Sequence, residues 1–355
     1  MTYSLKPALM GAALSLSLAG LASAQTTLVY TEGGPNRGTR SLAVQDFADT
    51  VSALTNGEVV VDIHWGGALV GLTATLGAVR DGVADAGSVL GSYDPRRLIG
   101  YGVGDLPTQY SDPWVIMRAM YEMMTTNQTQ IDLMAEQNVV YVANFTTTGL
   151  NFECTGNHKI ESIADFAGKK IRASGTYAKV LTDLGATTMN MGFNDVYQAL
   201  DTGLIDCTTG YFYTAAAYKT FEVANHFSIA QWGGIGSFGI AVNKDTWDDL
   251  SSDHQAALLE AGSQMVDRFA KAQIDEMIVI REGLESGSIG RKVTVVDFPQ
   301  EDLLKLEEAG NIHNNDWVQE MNGLGYDGQA LFDEYRALLA KYDAERAEKG
   351  YPWDR

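Results

Sequence analysis

Hydrophobic positions along this chain alternate between two periods, and the alternation repeats. Thr26 to Tyr30 is a short β-prone run, and Val44, Phe47, Val51 and Leu54 then fall on one helical stripe. Asn56-Gly57 ends that helix. Val59, Val61 and Ile63 next lie on one face, as in a half-buried strand. Leu72 to Arg80 returns to the helical period and stops at Asp81-Gly82, after which Val83-Ala84-Asp85-Ala86 opens a strand. Helices are predicted over Pro113–Met124 and Ile131–Gln137, and a strand over Val139–Phe145. Thr146-Thr147-Thr148-Gly149 reads as a crossing point into a second domain.

The second half repeats the design. Leu150 to Cys154 is a strand, a short helix ends at Gly168, and Ile171-Arg172 is the next strand. Helices follow over Tyr177–Leu184 and Asp195–Asp201, with Thr187–Met191 between them. Asp201-Thr202-Gly203-Leu204-Ile205-Asp206-Cys207 echoes Arg80-Asp81-Gly82-Val83-Ala84-Asp85-Ala86. Each copy is a helix, a glycine stop, two apolar residues, an aspartate and a strand, as two α/β domains of similar design would leave. Tyr218–Ala224 is predicted helical and Phe227–Ala230 extended. Ile240-Ala241-Val242 returns to the first domain. Ser252-x-x-Gln255 reads as a capping box opening a helix to Gly283. Some 30 helical residues span about 45 Å, enough to run along both domains. Val293–Val296 is a strand, and helices fill most of the remainder.

Composition adds a compartment. Lys6, the apolar run Ala8–Leu21 and Ala22-Ser23-Ala24 make a leader over residues 1–24, with the mature chain starting at Gln25. The net charge of −20 argues against nucleic acid and anionic membranes as partners. The two cysteines, Cys154 and Cys207, sit on predicted strands, either bridged or as two buried thiols. A bridge would close a loop of roughly 50 residues and stabilise by about 4 kcal/mol in the chain-entropy model.

Little in the sequence has the spacing of catalysis. The five histidines, His64, His158, His226, His254 and His313, form no H-x-x-x-H pattern, and there is no G-x-S-x-G elbow. No metal site or cofactor is expected. Glu32-Gly33-Gly34-Pro35-Asn36-Arg37-Gly38 lacks the phosphate-cradle spacing. What stands out is Arg172, at a strand end where ligands of α/β sheets bind. By spacing alone it is either a surface ion pair or a carboxylate clamp.

Several of these residues resemble a family. Gly168-Lys169-Lys170-Ile171-Arg172 is similar to its G-x-K-x-R strand. Phe193-Asn194-Asp195-Val196-Tyr197-Gln198-Ala199-Leu200 with Gly203-Leu204-Ile205-Asp206 resembles its central signature, and Phe47-Ala48 to Asn56-Gly57 its first helix end. The family is the extracytoplasmic solute receptors of tripartite ATP-independent periplasmic (TRAP) transporters. The resemblance covers nearly the whole mature chain. It implies an α/β periplasmic binding protein fold of two domains, with a hinge cleft, crossing strands and a long domain-spanning helix. It implies no enzyme but a periplasmic receptor, delivering an organic acid to small and large membrane subunits. In that frame Arg172 holds the carboxylate and Phe193 is the pocket aromatic. Asp195 stands where glutamate is usual, Cys207 replaces a glycine, and Gly210 falls where an amide often binds ligand. The strand Leu150-Asn151-Phe152-Glu153 lacks the upstream arginine of sialate receptors, so sialic acid is not expected.

These readings divide the chain into domain I (25–148 and 237–275), domain II (149–236 and 288–315), a spanning helix (252–283) and C-terminal helices (316–355). By strand alternation Tyr211 and Tyr213 point into the cleft together. Trp232, Trp65, Tyr93 and Asn151 are further candidate contacts. So many rings favour a monocarboxylate with an apolar or aromatic part. Glu32, at the first strand end, resembles a glutamate of ectoine receptors and would suit a zwitterion instead, through charge pairing and cation–π contact. A monomer is expected. The same fold would also serve a sensor's ligand-binding subunit.

Overall fold

The computed structural model describes Met1 and residues 25–355; apart from Met1, the leader expected over 1–24 lies outside the described residues. The first half runs β1 (Thr26–Thr31), α1 (Thr39–Leu54), β2 (Val59–His64), α2 (Thr75–Arg80), β3 (Ala86–Leu90), α3 (Pro113–Thr126), α4 (Gln128–Glu136) and β4 (Val139–Asn144). The middle runs β5 (Leu150–Thr155), β6 (Lys170–Arg172), α5 (Gly175–Asp183), β7 (Thr187–Met189), α6 (Val196–Asp201), β8 (Cys207–Gly210), α7 (Phe212–Ala217) and β9 (Ala224–Trp232). β10 (Phe238–Asn243), α8 (Lys244–Asp249), α9 (Ser252–Ser286), β11 (Thr294–Asp297), α10 (Gln300–Gly323) and α11 (Gly328–Lys349) complete the chain.

The strands form two sheets, one to a domain. The first has the order β2-β1-β3-β10-β4 and the second β11-β9-β5-β8-β6-β7. Helices cover the sheets, so central strands such as β10 are buried at every position and read as continuous apolar runs. The chain passes between sheets three times, from β4 to β5, from β9 to β10 and, by way of α9, from β10 to β11. The short repeat found in the sequence has a physical counterpart. Asp85 Oδ2 accepts the Val29 N–H of the neighbouring strand at 2.8 Å, and Asp206 Oδ2 accepts the Lys170 N–H at 2.8 Å. In each domain the aspartate satisfies a backbone donor at the start of a parallel pair.

α9 is 35 residues long and packs on both domains, against α1, α3 and β4 on one side and α7 and β11 on the other. A Cβ at Gly262 would overlap the Val142 carbonyl, so glycine lets the helix lie directly on β4. Its cap is Ser251, whose hydroxyl accepts the His254 N–H, one residue before the expected box. It also runs past Gly283, which is glycine because Ile289 packs against it, and stops at Gly287 in the left-handed region (φ 84°). Further on, α10 is unbroken across 315/316, where a boundary was expected. Tyr218–Ala224 is not a helix; the helix is α7, followed by a 3₁₀ turn at Thr220–Glu222.

Cys154 and Cys207 are directly opposite on β5 and β8 and form a disulfide, separated by 53 positions in sequence. Both are fully buried.

Candidate functional site

Arg172 is the last residue of β6, and the chain leaves the sheet there. Its side chain turns into a cavity between the domains. Domain I contributes Arg40 from α1, Leu72, Leu90, Tyr93 and Phe238. Domain II contributes Arg172, Phe193, Tyr211, Tyr213, Thr214 and Tyr218. The free space within it is about 30 Å³, room for a water or two. The walls therefore stand closed on each other, and any organic ligand has to part them.

Arg172 is 3% exposed. Its Nε donates to the Met191 carbonyl at 3.2 Å and its Nη2 to the Tyr93 hydroxyl at 3.1 Å. Its carbon sits 4.7 Å from the centroid of the Phe193 ring. Among the described residues no carboxylate forms an ion pair with it. A buried cation held by neutral groups alone is costly, and an anion beside it would offset that cost. The Tyr93 contact crosses the cleft, so it links the arginine's position to closure. Tyr93→Phe is expected to weaken ligand binding by about 0.5–1.5 kcal/mol, the net worth of one hydrogen bond. Calorimetric titration checks this, and unchanged affinity would mean that the contact is incidental.

Arg40 is a second buried guanidinium, and it is already neutralised. It meets Glu32 Oε1 at 2.8 Å and lies 5.0 Å from the Phe238 centroid. Glu32 is 1% exposed and also accepts the Gly34 N–H at 2.5 Å and the Ser88 hydroxyl at 2.6 Å. Its carboxylate is fully engaged. The rings continue from one arginine to the other: Tyr211 stacks on Tyr213 at 5.5 Å, and Phe193 lies 5.0 Å from Tyr218. Burial raises the Tyr211 and Tyr213 phenols, keeping them neutral donors.

The structure thus gathers Arg172, Phe193, Tyr93, Tyr211 and Tyr213 around one cavity. Tyr211 and Tyr213 arrive there by a different route from strand alternation. Tyr211 is the extended cap of α7, Tyr213 is in its first turn, and Phe212 turns away into a separate apolar cluster. Trp65 and Glu32 line an adjoining gap behind Arg40 and Tyr218. Trp232 and Asn151 lie outside the cavity. Trp232 is fully buried, edge-on to Tyr177 at 4.8 Å. Asn151 Oδ1 accepts the Ala230 and Gln231 N–H groups where the β5–β9 register shifts. Arg40, Leu72, Leu90, Thr214, Tyr218 and Phe238 escaped the sequence reading. Arg40 had a signal: with Val44, Phe47 and Val51 it falls on the inward stripe of α1.

Behind the cleft, Asp105 is buried, accepts the Ser237 N–H at 2.9 Å, and also accepts the Ser237 hydroxyl. Burial pushes its pKa up to about 6, above the usual carboxylate value. The folded protein therefore takes up this proton at higher pH than the unfolded chain. Asp105 adds stability as the pH falls from 7 towards 5, and subtracts it above 6. Thermal melts of the ligand-free protein are expected to run higher at pH 5 than at pH 7, with a smaller gap in Asp105→Asn.

Two α/β domains joined by crossing strands, with a cavity holding two buried arginines between them, are the architecture of a two-domain solute-binding protein. The model of bacterial extracellular solute-binding protein family 7, DctP, matches residues 32–317. The chain belongs to this family, whose members are receptors and not enzymes. The C4-dicarboxylate-binding periplasmic protein DctP of Rhodobacter capsulatus is 26% identical over 266 residues, 73% of this chain and 78% of that one. A marine-metagenome TRAP solute-binding protein specific for aromatic acid ligands, solved with 3-hydroxybenzoate, matches with a TM-score of 0.78 at 23% identity, covering 90% of this chain and 100% of that one. A TRAP solute-binding protein of Rhodoferax ferrireducens, solved with copurified benzoate, matches with a TM-score of 0.78 at 21% identity, covering 90% and 99%. At these identities the two structures show a shared fold.

Proposed function

We propose that this protein is the periplasmic receptor of a TRAP transporter, taking up a small monocarboxylate with an aromatic or apolar part. The leader is removed after Ala24, and the mature chain, acting as a single copy, closes on its ligand and delivers it to the small and large membrane subunits. The observation that carries this reading is Arg172, buried without an acid partner beneath a run of rings. With Arg40 balanced by Glu32, the cavity holds one net positive charge. One charge matches one carboxylate, and a second carboxylate would find Arg40 occupied. Tyr93, Phe193, Tyr211, Tyr213, Tyr218 and Phe238 supply the faces on which an apolar or aromatic body packs. The solutes of the two structurally similar receptors, benzoate and 3-hydroxybenzoate, are of this class. A zwitterion would need Glu32 free, and Glu32 is bound to Arg40.

The test is a thermal-shift screen of refolded mature protein, refolding having removed any co-purified ligand. A ligand at 100 times its Kd adds about 2.7 kcal/mol. Benzoate and 3-hydroxybenzoate are expected to raise the melting temperature, and succinate and ectoine to leave it unchanged. The reverse pattern would overturn the reading.

A further inference from the structure

Glu153 is a fully buried carboxylic acid on β5 that ligand capture, as described, does not use. It pairs with Thr208 across β5–β8, and Thr208 pairs with Arg172 across β6–β8. Residues directly opposite in neighbouring strands project to the same face. Glu153, Thr208 and Arg172 therefore form one row, with the Cα atoms of the two ends about 10 Å apart, two strand spacings. The Thr220 hydroxyl donates to Glu153 Oε2, while Oε1 is buried and has no partner among the described residues. Oε1 occupies the space a Cβ at Gly210 would take, bordered by Thr214 Oγ1 of the cavity wall.

The surroundings of Glu153 hold one relevant charge. Among the described residues, Arg172, from β6, is the charged group whose field reaches it. Thr208 on β8, Phe227 on β9, Thr220 in the following turn and Thr214 on α7 are uncharged. His226 on β9 is opposite Cys154, one position along, and meets Glu161 instead. Lys219 and Glu222, flanking Thr220, pair with each other at the surface. α6 turns Val196, Ala199 and Leu200 inward and keeps Asp201 exposed.

Burial outweighs the Thr220 hydrogen bond and the Arg172 field, and pushes the Glu153 pKa up to about 7. Of these three influences, one changes when the cavity fills. A carboxylate on Arg172 cancels the guanidinium's field, and the ionised form of Glu153 loses its one electrostatic support.

We propose that Glu153 is a proton site coupled to the anion site, so that a carboxylate docking on Arg172 favours the protonated form of Glu153 and draws proton from solvent onto it. This rests on Arg172 being the carboxylate clamp. The proton adds to Oε1, which has no other partner, and no bond of the ligand changes. The receptor then takes up its solute as an anion plus a proton, and the two bindings strengthen each other reciprocally. Affinity falls as the pH rises above 7, by up to tenfold per unit.

Two experiments decide it. In the first, carbon-13 NMR of protein labelled at the glutamate carboxyls, with Glu153 assigned through Glu153→Gln, follows the titration without ligand. A midpoint near 7 that moves up in Arg172→Met is expected. A midpoint in the ordinary carboxylate range, or one that Arg172→Met leaves in place, overturns the proposal. In the second, benzoate binding is measured by calorimetry at pH 8 in buffers of differing ionisation enthalpy. Uptake of a measurable fraction of one proton is expected, and a smaller uptake, with a flatter dependence of affinity on pH, in Glu153→Gln. Benzoate binding without proton uptake overturns the proposal. Benzoate failing to bind counts against the ligand reading instead, and the ligand-free titration still decides the role of Glu153.

Discussion

Changing Arg172 to methionine is expected to weaken carboxylate binding by about 2–5 kcal/mol, the range for truncating one member of a buried charge pair. That is a loss of roughly thirtyfold to several thousandfold in Kd. The effect is large because nothing nearby can take over. Arg40 is committed to Glu32 at 2.8 Å, and the remaining walls are rings, aliphatic side chains and Thr214. The same change is expected to leave the ligand-free protein as stable as before, or more so. In the empty receptor Arg172 is a buried charge with no carboxylate in contact among the described residues, and methionine removes that cost while filling similar volume. Calorimetric titration and thermal melting of one variant thus move in different directions. Arg172→Lys keeps the charge but loses the fork, and falls between the two. Retained affinity in Arg172→Met would remove the arginine from the binding site.

The second large effect concerns stability. Replacing Cys154 and Cys207 together by serine is expected to destabilise the protein by about 2–5 kcal/mol. The bridge closes 53 positions of chain between two neighbouring central strands of the second sheet. That segment contains β6, β7 and the Phe193 turn, so opening it frees much of the domain II cavity wall in the unfolded chain. Both sulfurs are buried, and serine would also leave two hydroxyls to satisfy in the core. Denaturant unfolding, with and without reductant, measures the loss. A midpoint that neither the substitution nor reduction moves would show that the strands hold without the bridge.

Much of the fold was legible because the two periods are clean. α1 shows its stripe, β10 its apolar run, and the aspartates at 85 and 206 sit at the same point of two similar units. Arg172 was legible from a strand end and a resemblance. The other cavity residues were harder to see for particular reasons. Arg40 and Phe238 come from domain I, and only the tertiary fold brings them against Arg172. Tyr218 was placed in a helix that does not exist, and the chain turns there after α7. Trp232 and Asn151 sit beside the crossing strands and look like cleft residues in a linear reading. Their surroundings show otherwise: one packs on Tyr177, and the other bonds the irregular backbone of β9. Polar and aromatic residues serve core and cleft alike, and pattern does not separate the two.

α9 gives the receptor a mechanical character. At mid-helix, Gln273 donates to the Thr146 carbonyl and accepts the Thr148 N–H, tying the rod to the crossing strand. One turn earlier, Phe269 touches Phe145 beside that strand and Tyr213 in the cavity wall. A continuous helix resists stretching and shear more than bending, so a hinge placed here would favour swinging of the domains over sliding. The cavity walls are the arms of that lever. A small flexure at Gln273 would be magnified into separation of the rings, and a solute held by the rings would act back as a torque on the rod. If the domains open at this point, the angle between their outer faces would follow the occupancy of the cavity.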